Sequence, residues 1–200
     1  FGLFTRQLKG GIKIQKCTPG INIFILYLFK YICNHLHMPG SRSVILLLGS
    51  NLDEPIKQLK IARDLIGTQL AKIKKTSSIY KTAAWGNTDQ PDFMNQIIEI
   101  ISTRSAVKIL AIIKNIEKVM GRISSIHWGP RIIDIDILFC GKEKINSKIL
   151  TIPHPSIEDR LFTLIPLQEL NPGFVHPVNR KTVGEMIASC NDHSAVNKVI

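Results

Sequence analysis

From Ser43 onward, the order of hydrophobic and polar positions predicts four strands and two helices. A short, continuous apolar run at 44–48 is typical of a buried strand. The segment 72–80 is more polar, and 93–103 alternates around Asn95, Ile97, Glu99 and Ile101, so both are also predicted strands. The fourth strand follows the second helix and lies within 128–139, where Ile residues are frequent.

The two predicted helices have their own start and stop signals. Asp53, Glu54 and Pro55 open the first, with acidic residues expected in its first turn and proline at its start. Ser105 caps the second, and Gly121 ends it. The expected apolar faces are Ile56, Leu59, Ala62 and Ile66 in the first helix, and Ile109, Ile112, Ile113, Ile116 and Met120 in the second.

This order of elements predicts an α+β fold of the ferredoxin-like split βαβ type (βαββαβ), with two helices on one face of an antiparallel sheet. After Gly141 the pattern is less regular. A short strand or hairpin is predicted near 144–151, a helix near 159–170 and a last helix near 183–189.

Residues 1–41 are predicted to be an N-terminal extension, separate from a domain at 42–200. No acidic residue precedes Asp53, and the apolar segment 21–31 is broken by Lys30 and too short to span a membrane. Two interpretations of this extension stay open: an organelle presequence, or translation upstream of a start at Met38.

The composition favours a folded domain with an anionic partner. Hydrophobic residues make up 44% of the chain, and the formal net charge is +11. The four cysteines form no C-x-x-C pair, which predicts free thiols in a reducing compartment. His35 and His37 lack further ligands nearby in the sequence, so we expect no metal site there.

Asp134 and Asp136 are two carboxylates in an otherwise apolar strand, where a charged side chain is costly without a partner. Alternation places both on one face, about 7 Å apart. Such a pair suits Mg²⁺ together with substrate phosphates, and Arg131 is placed to bind phosphate oxygens. The alternative is a salt-bridged strand end, with Arg131 paired to Asp134.

Four separated signatures, in order, now carry a resemblance to a known family. They are Leu48-Gly49-Ser50-Asn51-Leu52, Asp89-Gln90-Pro91-Asp92-Phe93-Met94-Asn95, Gly121-Arg122 leading to Trp128-Gly129-Pro130-Arg131 with Asp134-x-Asp136, and Pro153-His154-Pro155 with Arg160-Leu161-Phe162. From about Ser43 to Pro177, the chain resembles 6-hydroxymethyl-7,8-dihydropterin pyrophosphokinases of folate biosynthesis. The resemblance implies that 42–200 is a pterin pyrophosphokinase domain.

The resemblance implies transfer of pyrophosphate from ATP to the hydroxymethyl group of the pterin, with release of AMP. It implies two Mg²⁺ ions bound with ATP by Asp134 and Asp136, because phosphoryl-type transfer needs positioning and charge neutralisation. Arg122 and Arg131 would act with these aspartates as catalytic residues. The implied ATP contacts are Arg122, Arg131, Ile137, His154 and Arg160.

The resemblance also implies a pterin site. Phe93 and Phe162 would sandwich the ring, and Asn95 would hydrogen-bond its edge. The remaining implied contacts are Thr82, Ala84 and Trp85. Without the resemblance, core packing would be the preferred interpretation of both phenylalanines.

The chain departs from the family pattern at several positions. Ser124 replaces a second arginine and His127 replaces a basic residue, so the loop before Trp128 loses one fixed charge. Ala83-Ala84 replaces Pro-Pro, which predicts a more flexible loop. These departures leave open the alternative that the chain is an inactive, nucleotide-binding relative of the family.

A further alternative is an RNA-binding module with a ferredoxin-like fold. Two acidic residues on a strand and the lack of an aromatic RNA-binding signature disfavour it.

For partners, we expect ATP and the hydroxymethyl pterin, no nucleic acid, no membrane and a monomeric state. Free thiols and ATP use predict a cytoplasmic location, or an organelle matrix if residues 1–40 are a targeting segment. We expect no second folate enzyme within 200 residues.

Overall fold

The computed structural model describes residues 40–84, 89–122 and 129–199, and its sheet is built around the apolar run at 44–48. The elements, in chain order, are β1 (Arg42–Ser50), α1 (Pro55–Gln69), β2 (Ile73–Thr76), β3 (Tyr80–Thr82), β4 (Phe93–Ser102), α2 (Ala106–Val119), β5 (Asp134–Cys140), β6 (Ile145–Asn146), β7 (Thr151–Ile152), α3 (Leu161–Leu170), α4 (Val183–Ala188) and β8 (Val196–Lys198). Every strand pair within it is antiparallel. The fold is therefore α+β.

The main sheet has the strand order β5-β1-β4-β3-β8, and β2 also pairs with β4. The single polar strand predicted at 72–80 is therefore two strands. Between them, the Ser77 hydroxyl accepts a hydrogen bond from the Ile97 backbone N–H at 2.9 Å, in the place of a backbone carbonyl. This substitution of a side chain for backbone keeps β4 hydrogen-bonded where the strand is interrupted.

Strand β1 is covered on both faces, which explains its continuous apolar sequence. On one face, Leu46 and Leu48 belong to a core cluster with residues of α1 and α2. On the other face, Ile45 and Leu47 share a second cluster with residues of α3 and α4. The prediction of two helices on one face agrees with this arrangement, but the second helical layer was not predicted.

The start of α1 differs from the prediction. Pro55 is at the first helical position as expected, but Asp53 and Glu54 have φ angles of 49° and 58° and precede the helix, so no acidic residue lies in its first turn. Proline disfavours a helical conformation in the residue before it, which explains the boundary. Ile56 is also 37% exposed, whereas Leu59, Ala62 and Ile66 of the predicted face are buried.

The ends of α2 agree with the sequence. Ser105 accepts a hydrogen bond from the Lys108 backbone N–H, and Gly121 has a φ of 88°, a left-handed conformation that favours glycine. Ile112 and Met120 are only partly buried, whereas Ile109, Ile113 and Ile116 are fully buried.

The C-terminal elements lie close to their predicted positions. Strands β6 and β7 pair as a hairpin, and helices α3 and α4 follow. The short strand β8 was not predicted, because three residues give too little periodicity. Across 40–84, 89–122 and 129–199, no helix is both long and apolar enough to cross a membrane.

Glu169 of α3 fixes the C-terminal part of the chain to the edge of the sheet. Its carboxylate accepts hydrogen bonds from the Ser78 backbone N–H and hydroxyl, from the Tyr80 hydroxyl and from Lys198 of β8. Burial alone would raise the pKa of Glu169, but these donors lower it to about 2. One carboxylate therefore connects α3, β3 and β8.

We expect Glu169→Gln to lower the free energy of unfolding by about 1–2 kcal/mol at pH 7, because it removes charged hydrogen bonds. The folded-state pKa is depressed from 4.5 to about 2, so this stabilisation is present above pH 4.5 and is lost as the pH falls toward 2. Urea unfolding between pH 2 and 7 measures the difference. Asp64→Asn, on the exposed side of α1, is the control. A difference that persists unchanged at pH 2 would contradict the role of the charge.

Candidate active site

The predicted site residues meet at one end of the main sheet. Asp134 of β5 lies opposite Gly49 of β1, and Gly49 lies opposite Asn95 of β4. Thr82 of β3 lies opposite Phe93. With strands about 4.8 Å apart, the aspartate and the asparagine are separated by about 10 Å. The structure therefore places the predicted phosphate-binding and pterin-binding residues side by side.

Gly49 leaves space between these two groups of residues. A Cβ atom at this position would lie 3.1 Å from Asn95 Oδ1 and 3.8 Å from Phe93 Cδ1. Asn95 is buried, and its Nδ2 donates to Thr82 Oγ1 at 2.8 Å. The close approach of the Asn95 amide to the β1 backbone therefore depends on glycine.

Asp134 accepts hydrogen bonds from two arginines. Arg122 contacts one of its oxygens, and Arg131 contacts the other. Burial alone would raise the pKa of Asp134, but the two guanidinium groups lower it below its usual range. The alternative of an ion pair between Arg131 and Asp134 is thus present in the structure, as one part of a larger charge network.

Asp136 lies two residues further along β5 and in a different electrostatic environment. Among the described residues, no side chain donates a hydrogen bond to its carboxylate. Burial and the neighbouring Asp134 raise the pKa of Asp136 to about 6. A partly buried carboxylate that has no donor within the described part of the chain, beside a second carboxylate, fits the binding of a divalent cation.

The aspartate pair does not form a complete set of metal ligands by itself. In 40–84, 89–122 and 129–199, no group of three or more His, Cys, Asp or Glu residues could hold a metal ion. Mg²⁺ commonly takes one or two carboxylates and completes its shell with water and substrate phosphates. The two aspartates therefore fit a metal that binds together with a phosphate-containing substrate.

Glu117 of α2 is a site residue that the sequence analysis missed. It is 3% exposed, contacts Arg122, and accepts hydrogen bonds from Lys114 Nζ and the Ile135 backbone N–H, each at 2.8 Å. The same Arg122 nitrogen, Nη1, contacts both Glu117 and Asp134, so Glu117 helps to hold Arg122 against Asp134. Its position four residues after the buried Ile113 was the available signal, because that spacing predicts a buried side chain.

Asn51 also has an organising role that the sequence analysis did not assign. Its Nδ2 donates to Gln90 Oε1 at 3.2 Å and to the Pro91 carbonyl at 3.0 Å. Its Oδ1 accepts from the Arg131 backbone N–H at 2.7 Å. One buried side chain therefore fixes the segments that lead to Phe93 and to Asp134.

Each of the two predicted stacking rings has an arginine over its face. The guanidinium carbon of Arg131 lies 5.9 Å from the Phe93 ring centroid, and that of Arg160 lies 5.6 Å from the Phe162 centroid. Both distances are in the range of cation–π interactions. The rings therefore contact residues that the sequence analysis assigned to ATP, which links the two predicted subsites.

The remaining predicted residues differ in their placement. The His154 backbone N–H donates to the Leu138 carbonyl at 3.0 Å, and burial together with Arg160 lowers the pKa of the imidazole. Ala84 is 5% exposed. The Ile137 side chain packs in the core that contains α1 and α2, on the face of β5 opposite Asp134 and Asp136. Trp85, Ser124, His127 and Trp128 lie outside the described residues.

The model of the 7,8-dihydro-6-hydroxymethylpterin-pyrophosphokinase (HPPK) family matches residues 45–172, which is more than half of the chain. The chain belongs to this family. It is similar to the 2-amino-4-hydroxy-6-hydroxymethyldihydropteridine pyrophosphokinases of Aquifex aeolicus and Haemophilus influenzae. The identities are 38% over 143 residues, covering 72% of this chain and 89% of the A. aeolicus protein, and 38% over 151 residues, covering 74% and 93%.

Solved structures show the same fold in a longer protein. The wild-type HPPK-DHPS of Plasmodium falciparum, solved with pteroate, matches with a TM-score of 0.60 and 18% identity. The match covers 74% of this chain and 44% of that chain, so this chain spans less than half of it. At this identity, the likeness concerns the fold alone.

We expect Glu117→Gln to lower the free energy of unfolding by about 3 kcal/mol, because it leaves the half-buried Arg122 with one carboxylate instead of two. Chemical denaturation measures the change. Glu143→Gln is the matched control, because Glu143 forms a single ion pair with Arg42 nearer the surface and should cost less than about 1 kcal/mol. Equal losses in the two variants would contradict the proposed importance of Glu117.

Proposed function

We propose that this chain transfers the pyrophosphoryl group of ATP to 6-hydroxymethyl-7,8-dihydropterin, and that it releases AMP and the pterin diphosphate for folate biosynthesis. Membership of the HPPK family supports this activity. The structural observation that carries it is the aspartate pair of β5. Two arginines contact Asp134, Gly49 lies on the neighbouring strand β1, and Asn95 lies on the next strand, β4.

The residues around Asp134 would position the triphosphate. Arg122 and Arg131 remain charged and can each bind two phosphate oxygens. Asp134 and Asp136 would hold two Mg²⁺ ions with ATP, and these ions would neutralise the charge that develops on the phosphate oxygens. Arg160 and His154 would bind the nucleotide from the segment between β7 and α3. Glu117 acts through Arg122 and is a positioning residue.

The residues around Asn95 would bind the pterin. Asn95 donates to Thr82 through Nδ2, so its Oδ1 is left to accept from an N–H on the pterin edge. Phe93 and Phe162 would stack on the ring, and Ala84 and Trp85 would complete the pocket. Such a site discriminates against rings that lack the matching hydrogen-bonding groups.

We further propose a ferredoxin-like split βαβ topology for this domain. The strand order β5-β1-β4-β2, with α1 following β1 and α2 following β4, supports it. Gly40–Ile200 form one compact unit, in support of a domain at 42–200. Helices cover both faces of β1, which supports a monomer. The free thiols of Cys140 and Cys190 support a cytoplasmic or organelle-matrix location.

We expect purified protein to form AMP from ATP and Mg²⁺ only when the hydroxymethyl pterin is present. Asp136→Asn should slow this reaction by about 10²-fold or more, because a misplaced phosphoryl group alone costs that much. Single-turnover AMP formation measures the rate, and Asp64→Asn is the control. Nucleotide binding without AMP formation would indicate the inactive relative instead, and near-normal turnover of Asp136→Asn would refute the role of the aspartate.

We expect Gly49→Ala to raise the KM for the pterin about tenfold, with a smaller effect on the KM for ATP. The added methyl group would lie 3.1 Å from Asn95 Oδ1 and displace the amide that recognises the ring. Gly67→Ala is the matched control, because a Cβ there meets nothing within 4 Å. Steady-state kinetics, with the pterin and ATP varied in turn, measure the two KM values separately. Equal changes in both KM values would argue against a specific effect on the pterin.

A further inference from the structure

A second cleft lies on the face of β4 opposite the proposed active site. Met94 and Gln96 line it, and these residues alternate along the strand with Phe93 and Asn95 of the site. Its volume is about 850 Å³, and the first turns of α1 and the segment between β2 and β3 form its walls. The cleft is therefore separated from the site by the thickness of the sheet.

The wall of this cleft contains a buried acceptor without a donor. Gln96 is 3% exposed, and its Nε2 donates to the Ser77 carbonyl at 2.7 Å. Its Oε1 is buried and has no hydrogen-bond partner among the residues that the structure describes. A buried polar atom left in this state costs free energy, so a bound N–H or O–H donor would be favoured here.

The outer wall of the cleft is positively charged. Lys57, Lys60 and Arg63 follow one another at intervals of three along α1, and all three line the cleft. Lys57 is paired with Glu54 at 2.6 Å. Lys60 and Arg63 form no ion pair with any of the described residues. The second cleft therefore offers two uncompensated cations to a ligand.

The acidic residues of the cleft do not cancel this charge. Glu54 is neutralised by Lys57. Glu169 accepts from Ser78, Tyr80 and Lys198, and these donors already stabilise its charge. Apolar side chains also line the cleft, among them Pro55, Ile79 and Met94.

We propose that this second cleft binds a small phosphate ester built on an aromatic ring that carries an N–H donor. Lys60 and Arg63 bind the phosphate, and the apolar side chains contact the ring. The donor binds Gln96 Oε1 after the side chains that cover this buried atom shift. Phosphate suits the rim better than a carboxylate does, because a dianion compensates two cations. The site is independent of the proposed pyrophosphokinase activity, since it uses none of the residues assigned to that reaction.

Titration of the full 200-residue chain with 4-aminophenyl phosphate tests the proposal, with ¹H–¹⁵N NMR used to follow backbone amides. The active site is first occupied by α,β-methylene-ATP, Mg²⁺ and the oxidised hydroxymethyl pterin. We expect saturable shifts at Gln96 and along the first turns of α1. Shifts confined to residues around Asp134, or no saturable shifts, would overturn the proposal whether or not the chain is an active pyrophosphokinase.

Two comparisons show which groups bind the probe. The double variant Lys60→Ala/Arg63→Ala should raise the Kd about tenfold or more, and Lys108→Ala, an exposed lysine of α2, should leave it unchanged. Phenyl phosphate lacks the donor and should bind about five- to tenfold more weakly than the amine. An unchanged Kd in the double variant, or equal affinity for the two phosphate esters, would refute the proposed contacts.

Discussion

The interaction on which the site depends is the contact of Arg122 with two carboxylates, Glu117 of α2 and Asp134 of β5. An acidic residue on a strand beside a hydrophobic core is unstable unless a cation accompanies it. Arg122 provides that cation for both acids, and Arg131 adds a second one for Asp134. Because Glu117 also binds the Ile135 backbone N–H, the same network joins the end of α2 to the start of β5.

This network shifts the pKa values of the two aspartates in opposite directions. Asp134 is compensated, with its pKa below the usual range, whereas burial and the negative charge of Asp134 raise the pKa of Asp136 to about 6. A divalent cation with bound phosphates would stabilise the second carboxylate. The stability of the folded chain and the proposed binding of ATP thus depend on the same few charges.

The sheet separates the functions that we propose. Along β4, Phe93 and Asn95 face the proposed active site, while Met94 and Gln96 face the second cleft. Gln96 is the covalent neighbour of Asn95, so a ligand in the second cleft would contact the strand that presents the pterin-binding amide. Glu169 lines this second cleft and holds β3, the strand that carries Thr82. The formal net charge is +11, and we propose that some of the basic residues bind phosphate at two places: the arginines of the active site and the cations along α1.

The sequence by itself determined the order of the main strands and helices, the burial of β1, and the placement of the aspartate pair on one face of β5. These features follow from periodicity, which a single chain displays directly. The helix ends at Ser105 and Gly121 were also readable, since capping is local. Only the tertiary structure decided the roles of Glu117, Asn51 and Glu169, because each accepts a hydrogen bond from a backbone N–H that lies 18 to 91 residues away in the sequence. The space at Gly49 and the burial of Gln96 Oε1 likewise depend on neighbouring strands and helices. Periodicity within one segment does not specify which distant groups meet.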